Sequence, residues 1–392
     1  MHRDLSISSS QRDTIMERFL LREMCNSLGT TERTRARLLW TLVGLFICVL
    51  ATTSLAQDYT WVTNSGTITL TGYTGSGGDV TIPSNLAGKV VTHIGTNTFL
   101  EVTNLTSVIL PDSLTTIEDG AFVSCSNLTS VTLSDSLTTV GDGVFYECSS
   151  LTNMTLPNSI TNMGGYVFDG CYSLASVTLP NSITAIEAYV FNRCYRLASM
   201  TLPNGVTSIG YQAFGSCQGL SNITLPDNVT TIEDYAFYYC SGLTNASLGN
   251  SVTSIAFSAF SHCTNLMNMT LPSSLTAIGQ NAFRACSRLT SITIPDNVTT
   301  MGGYVFSDCT DLTSVSIGNS LTNISENAFR YCYSLTSVSI GNSVTAIAES
   351  AFDSCSSLIH ITLPDSLRMI ADTAFISCND LVSITLPNSV CA

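Results

Sequence analysis

A strict repeat of 23 residues governs most of this chain and limits the folds that it can adopt. Cysteine recurs at this step twelve times from Cys125 to Cys378, and leucine recurs thirteen times from Leu105 to Leu381. The twelve units of residues 105–380 contain no insertion or deletion. A unit this short cannot bury its apolar side chains alone and must stack on its neighbours. The sequence therefore predicts a repeat solenoid rather than a globular domain.

One unit, residues 174–196 (LASVTLPNSITAIEAYVFNRCYR), shows how a single coil should be built. Residues 176–179 alternate polar and apolar side chains, which is typical of a short strand with one buried face. Pro180 ends this strand because proline has no N–H to donate to a ladder. Ile183 and Ile186 indicate a second extended stretch, and Val190 to Cys194 should close the coil as a tight turn or a single helical turn. Eight apolar columns per unit predict one continuous core, with the phenylalanines and cysteines inside.

The repeat pattern L-x-x-V-x-L-P-x-S-L-T-x-I-x-x-x-A-F-x-x-C resembles the BspA-like leucine-rich repeats, also called the Treponema pallidum type, over about residues 80–392. The resemblance implies a right-handed leucine-rich-repeat superhelix of mostly short β-strands and turns, with an N-terminal β cap. Residues 58–102 look like the entry segment that often precedes such arrays. The family implies surface or secreted proteins used in adhesion and protein recognition, without a cofactor or catalytic residues.

Four segments are predicted along the chain. Residues 1–37 form an N-terminal leader, and residues 38–56 form the apolar core and cleavage region of an export signal. Residues 57–102 form the cap and an irregular first repeat, and residues 103–392 form the array of twelve units with a truncated last unit. The apolar run is shorter than the ~20 residues that cross a bilayer as a helix, which favours a cleaved signal peptide over an uncleaved anchor. The expected location is secreted or cell surface.

Two details at the ends of the chain stay open. The long leader suggests either a true extension or an initiation site at Met16 or Met24. The last unit stops after Val390 without the polar cap that the open end of a solenoid needs. Either the chain is a fragment or a partner covers this end, which makes self-association through the C-terminal end an alternative.

The charge of the chain excludes one class of partner. Half of its fourteen basic residues precede residue 38, so residues 57–392 carry 23 acidic against seven basic residues, a formal charge of −16. A surface this acidic repels phosphate backbones and anionic lipid headgroups. We therefore expect no nucleic-acid binding, and membrane contact only through an uncleaved N-terminal segment.

The periodic cysteines have three alternative roles, which are metal binding, disulfide formation and packing in the core. The spacing of 23 is not a metal-ligand pattern, and the four histidines are scattered, so no metal site is predicted. Adjacent coils place the cysteines within disulfide reach. Each thiol must also fill a core position, however, so the packing argument favours buried free thiols. No nucleophile elbow, phosphate loop or paired carboxylate constellation is recognisable, and the sequence predicts no enzyme, catalytic residue or cofactor.

Two surfaces are candidates for a binding role. All twelve tyrosines of the repeats lie in the turn that precedes each leucine, and tyrosine and arginine dominate binding hot spots. The candidate residues for binding a protein or glycan ligand are Tyr166, Tyr189, Arg193, Tyr195, Arg196, Tyr211, Tyr235, Tyr238 and Tyr239. The alternative is a passive scaffold, or one that interacts with ice or ordered water, through the threonine column of the strand face. Both patterns also have a purely structural explanation, in which the tyrosines only cover the turns and the threonines only suit an exposed strand.

Overall fold

The computed structural model describes residues 58–390 as a β-solenoid of about 13 turns, in which the described residues form no helix. The predicted leucine-rich-repeat solenoid is therefore confirmed. Within the described part of the chain, no helix is long and apolar enough to cross a membrane. The leader, the apolar segment of residues 38–56 and Cys391 lie outside the described residues.

The first strand of each coil stacks on its equivalent 23 residues away. Val108 pairs in parallel with Val131, and Met154 with Val177, so the apolar residues of one column face the core together. The coil that begins at Leu197 contributes only an isolated bridge between Ser199 and Asn222. These strands are β3 (Gly78–Thr81), β6 (Leu105–Ile109), β8 (Ser130–Thr132), β10 (Asn153–Thr155), β12 (Ser176–Thr178), β15 (Asn222–Thr224), β17 (Asn245–Ser247), β19 (Asn268–Thr270), β21 (Ser291–Ile294), β23 (Ser314–Ile317), β25 (Ser337–Ser339) and β27 (His360–Thr362).

A second parallel ladder follows each proline turn. Ile186 pairs with Ile209, and Ile209 with Ile232, so a buried apolar side chain repeats in every coil from Ile94 to Ile347. Most of these strands have two residues because the chain bends again directly after the isoleucine. They are β5 (Lys89–Ile94), β7 (Thr116–Ile117), β9 (Thr139–Val140), β11 (Asn162–Met163), β13 (Ala185–Ile186), β14 (Ser208–Ile209), β16 (Thr231–Ile232), β18 (Ser254–Ile255), β20 (Ala277–Ile278), β22 (Thr300–Met301), β24 (Asn323–Ile324), β26 (Ala346–Ile347) and β28 (Met369–Ile370).

The segment around the phenylalanine and cysteine is a tight turn, which decides between the two forms that the sequence left open. The N–H of Cys194 donates to the carbonyl of Phe191 at 3.1 Å, and the N–H of Phe191 donates to the carbonyl of Ala213 in the next coil at 2.8 Å. Arg193, between them, has a φ of 59°. This left-handed residue prevents the turn from continuing as a right-handed helix.

Phenylalanine rings form the centre of the core. The twelve rings from Phe99 to Phe352 are fully buried, as predicted. Neighbouring rings stack nearly parallel, for example Phe214 on Phe237 at 5.1 Å and Phe237 on Phe260 at 4.9 Å. Phe375 continues the stack in the last coil but is only half-buried. The column therefore joins every coil to its two neighbours through one apolar contact surface.

Cysteine thiols form a second buried column beside the rings. All twelve periodic cysteines are free thiols, and each Sγ donates to the carbonyl of the phenylalanine 26 residues earlier. In Cys217 the distance from Sγ to the Phe191 oxygen is 3.1 Å. Each thiol thus fills a core position and donates to a carbonyl of the turn in the preceding coil.

We expect titration of the unfolded, unreduced protein to recover all twelve periodic thiols. In the folded protein, an alkylating reagent at neutral pH should leave the eleven buried thiols unmodified, because burial excludes the reagent. The half-buried Cys378 serves as the internal comparison and should react first. Recovery of only a few thiols after unfolding would show that the column is cross-linked.

The N-terminal end of the stack is closed by two hairpins. Strands β1 (Tyr59–Asn64) and β2 (Thr67–Tyr73) pair antiparallel, and β2 joins β5 in parallel. The ring of Tyr73 lies 4.9 Å from that of Phe99 and so continues the phenylalanine stack. The first repeat is five residues longer than the others between its proline and the following isoleucine, Pro83 and Ile94. This longer segment contains strand β4 (Asn85–Leu86), which pairs antiparallel with β5. The insertion therefore extends the edge of the coil and leaves the core register unchanged.

Candidate functional site

Two positions in every coil hold the backbone in a left-handed conformation, and five of the nine candidate residues occupy them. Tyr166, Tyr189 and Tyr235 take the first position, and Arg193 and Tyr239 take the second, with φ between 57° and 59°. Glycine and asparagine tolerate this conformation best, whereas a bulky side chain is strained there. Other coils place suitable residues at the first position, namely Asn97, Gly120, Gly143, Asn281 and Asn327. The fold therefore requires the conformation but not the tyrosines.

Four tyrosines form a continuous row across neighbouring coils. Tyr166 stacks on Tyr189 with ring centroids 4.5 Å apart, and Tyr189 lies 5.2 Å from Tyr211 at an angle of 54°. Tyr211 contacts Tyr235 edge to face at 5.7 Å. We call Tyr166, Tyr189, Tyr211 and Tyr235 the tyrosine row. The structure thus assembles four candidate residues, separated by 69 residues in sequence, into one surface.

The row continues into a second aromatic group. Tyr235 contacts Tyr238 at 5.3 Å and Phe257 at 5.2 Å, and Tyr239 stacks on His262 at 4.4 Å. The sequence analysis did not select Phe257 or His262. The repeat spacing could have identified both residues, because His262 follows Tyr239 by one repeat and Phe257 follows Tyr211 by two.

Arg193 and Tyr195 belong to a separate group. The Cζ atom of Arg193 lies 6.0 Å from the ring centroids of both Tyr146 and Tyr172. Its Nε atom is 3.0 Å from Oδ1 of Asp169, whose side chain is only 5% exposed. Tyr195 stacks on Tyr172 at 5.2 Å. No ring contact among residues 58–390 joins this group to the tyrosine row, so the structure divides the single cluster that the sequence suggested.

The two arginine candidates have different surroundings. Arg193 also approaches Glu147 at 3.7 Å, so its charge is largely neutralised within the chain. Burial alone lowers the pKa of Arg193, but the hydrogen bond and the charge of Asp169 outweigh it and raise the pKa overall. Arg196 is exposed and forms no ion pair with any described residue. Arg193 therefore orders the turn, whereas Arg196 is available to a ligand.

Tyr189, Tyr238 and His262 present neutral groups at physiological pH. Partial burial, with a hydrogen bond to Tyr211, raises the pKa of Tyr189 to about 12. Burial also raises the pKa of Tyr238. Burial lowers the pKa of His262, and the nearby positive charge of Arg284 lowers it further. The phenols of Tyr189 and Tyr238 therefore stay protonated and can donate hydrogen bonds, and His262 is a neutral imidazole at pH 7.

The threonine column of the strand face is chemically distinct from the other threonines. Thr132, Thr155 and Thr178 are exposed, and their hydroxyls form no hydrogen bond with any described residue. Threonines directly before the strands of the second ladder instead donate to the preceding coil, as Thr230 does to the carbonyl of Thr207 at 3.2 Å. Cavities of about 310 to 500 Å³ follow the strand face, lined by these threonines and by the asparagines and aspartates after the proline turn.

No three histidine, cysteine, aspartate or glutamate side chains of the described residues are grouped so that they could hold a metal ion.

Comparison with known proteins agrees with this geometry. The family model described as the BspA type Leucine rich repeat region matches residues 79–198, 184–313 and 276–391. The chain resembles the crystal structure of a leucine-rich repeat protein from Bacteroides ovatus with a TM-score of 0.73 and 28% identity, over 83% of this chain and 92% of that one. It also resembles a leucine rich cell surface protein from Faecalibacterium prausnitzii with a TM-score of 0.58 and 30% identity, over the same shares of the two chains. No curated protein sequence matches the chain significantly.

Proposed function

The chain belongs to the BspA type leucine-rich-repeat family, and from this membership we propose that it is an exported recognition protein that binds a ligand through its tyrosine surface. The tyrosine surface comprises the tyrosine row together with Tyr238, Tyr239, Phe257 and His262. The protein acts as a binding scaffold rather than as an enzyme. Its ligand is a protein, and a glycan is the alternative.

One observation carries this proposal. Tyrosine occupies the strained left-handed position in three of the four coils that form the row, whereas asparagine or glycine occupies it in five other coils of the same chain. A bulky residue with positive φ costs on the order of 1 kcal/mol, and such strain concentrates at functional sites. Because packing of the coil does not need these rings, their retention in one patch favours selection for contact with a ligand. Tyrosine suits that role because it offers a large contact area at a low cost in side-chain entropy.

The proposed location rests on two observations. The chain carries a basic stretch followed by an apolar run at residues 33–51, in the order of an export signal. The similar protein from Faecalibacterium prausnitzii is described as a cell surface protein. We therefore place the protein outside the cytoplasm, either secreted or on the cell surface, where it serves adhesion.

The triple variant Tyr166→Asn, Tyr189→Asn and Tyr235→Asn tests the tyrosine surface. It should fold, because asparagine occupies the same position at Asn97, Asn281 and Asn327. A pull-down of envelope or host-cell proteins with the full chain first identifies the ligand. Loss of one hot-spot tyrosine costs about 2 kcal/mol in binding, so Kd should rise at least about thirtyfold. Binding is measured by calorimetry or surface plasmon resonance.

Two control variants separate the surface from the rest of the solenoid. Tyr304→Asn makes the same substitution in a coil outside the row and should leave Kd unchanged. Thr155→Val, Thr178→Val and Thr201→Val together remove free hydroxyls from the strand face and should also leave it nearly unchanged. If these threonine changes abolish binding, or remove a measurable thermal hysteresis, the strand face is the functional surface and the proposal fails.

A further inference from the structure

The chain contains its own example of how its tyrosines bind a cation. Arg193 lies between Tyr146 and Tyr172 and donates from Nε to Asp169. Three consecutive coils are thus joined by one guanidinium group, which contacts two rings and a carboxylate. A guanidinium group suits this position because it is planar, stacks on aromatic rings and donates in a fixed fork.

The same arrangement occurs a second time. Arg330 lies over Tyr331, with Cζ 4.4 Å from the ring centroid, and its Nε donates to Oδ2 of Asp353 at 2.9 Å. Both arginines therefore combine a tyrosine of the turn with an aspartate of a neighbouring coil. The turn surface of this solenoid provides a repeated site for arginine wherever rings and carboxylates meet.

The tyrosine row has the rings and the carboxylates but no cation of its own. Among the described residues, no arginine or lysine lies over Tyr166, Tyr189, Tyr211 or Tyr235. The exposed acids Glu187 and Glu233 each precede a tyrosine of the row by two residues. Tyr166 is 41% exposed and the other three rings of the row are half-buried, and the row is not a closed parallel stack because its later rings are tilted by 54° and 67°.

The charge of the surroundings has the sign that an arginine-bearing partner requires. The turn segments of the six coils from residue 141 to residue 265 contain six acidic residues and two arginines. The acidic residues are Asp142, Glu147, Asp169, Glu187, Glu233 and Asp234. Glu147 and Asp169 pair with Arg193, which leaves four acidic residues against the unpaired Arg196. Such a surface attracts basic segments over a distance of about 8 Å at physiological salt and repels phosphate.

We propose that the tyrosine row binds an arginine-rich segment of a partner protein, whose guanidinium groups lie against the rings as Arg193 does within the chain. This inference rests on the proposed function of the tyrosine surface and specifies the partner. The long-range charge brings the segment to the surface, and the contact of rings with guanidinium groups selects arginine over lysine. A partner of this kind binds along several coils, so its arginines are spaced along an extended segment.

The test uses the full chain and three synthetic peptides of equal length. Each has a Gly/Ser backbone with several identical residues, which are arginine, lysine or the neutral arginine analogue citrulline. Fluorescence anisotropy at physiological salt should show the arginine peptide binding about tenfold more tightly than the lysine peptide, and no binding of the citrulline peptide. The arginine preference should persist at about 0.5 M salt, where long-range attraction is screened.

Variants identify where the peptide binds. The triple tyrosine-to-asparagine variant should lose at least about tenfold in affinity for the arginine peptide, whereas Tyr304→Asn should retain it. Unchanged thermal unfolding of the triple variant shows that the fold is intact.

Equal binding of the arginine and lysine peptides, or full binding by the triple variant, would overturn the inference. Either result would show that the peptide is attracted only by the overall negative charge of the protein. If no peptide binds but the triple variant still loses the ligand found by pull-down, the arginine inference fails and the proposed function stands. If the triple variant keeps that ligand as well, both fail.

Discussion

Above pH 9 the protein should lose stability steeply, more so than a globular protein of similar size. Burial raises the pKa of ten fully buried periodic thiols above the ordinary value of 9.0, including Cys240 and Cys286 to about 12. The other eight are Cys148, Cys171, Cys194, Cys217, Cys263, Cys309, Cys332 and Cys355. In the unfolded chain these thiols ionise near pH 9, whereas in the folded chain they keep their protons. The unfolded state therefore gains stability as the pH rises.

The expected size follows from linkage. Each such thiol lowers the free energy of unfolding by up to about 1.4 kcal/mol per pH unit above 9, so ten thiols lower it by on the order of 10 kcal/mol per pH unit. Below pH 9 the thiols are protonated in both states, and this contribution to stability is fully present. Because a folded domain is typically stable by about 5–15 kcal/mol, unfolding should be complete within roughly one to two pH units.

Denaturant unfolding at a series of pH values between about 8 and 10 measures this slope. The matched variant Cys217→Ala, Cys240→Ala and Cys263→Ala loses three thiols and should have a slope smaller by about 4 kcal/mol per pH unit, whatever its stability at pH 7. The comparison uses slopes because the alanines also leave cavities. A stability that stays constant over this range would show that the thiols are cross-linked or reach solvent.

Removal of one ring from the phenylalanine column should destabilise the protein by about 3–5 kcal/mol. Phe237 is fully buried and stacks between Phe214 and Phe260, at 5.1 Å and 4.9 Å. Phe237→Ala therefore removes contacts on both sides and leaves a cavity in the middle of the stack. Urea unfolding of the variant and the parent protein at pH 7 gives the difference.

The same substitution at the end of the array is the control. Phe375 is half-buried and stacks on a single ring, Phe352 at 5.3 Å. Phe375→Ala should cost less than about half as much, because a solenoid is stabilised by contacts between neighbouring coils and the last coil has only one neighbour in the described structure. Equal costs at the two positions would contradict this nearest-neighbour account of the core.

The chemistry of the core could be predicted closely from the sequence, and that of the surface only in part. A column such as Phe122 to Phe352 repeats at the period of the coil, so its burial follows from the repeat alone. Thr155 and Thr230 look alike in sequence, yet the first has a free hydroxyl and the second donates to the preceding coil. That distinction depends on which way each backbone segment faces, and the repeat pattern does not contain this information.

The sequence by itself determined the solenoid, its coil length and the residues of its core, because each coil can bury its apolar side chains only against identical positions of the next. Tertiary structure decided which tyrosines meet. Tyr166 and Tyr189 stack on each other, whereas Tyr195 joins Tyr172 near Arg193 in another group. The turn places these side chains through two left-handed residues per coil, a backbone conformation that the residues Tyr166 and Arg193 themselves do not favour. Because stacking of the coils imposes that conformation, the division of the surface could be read only from the folded chain.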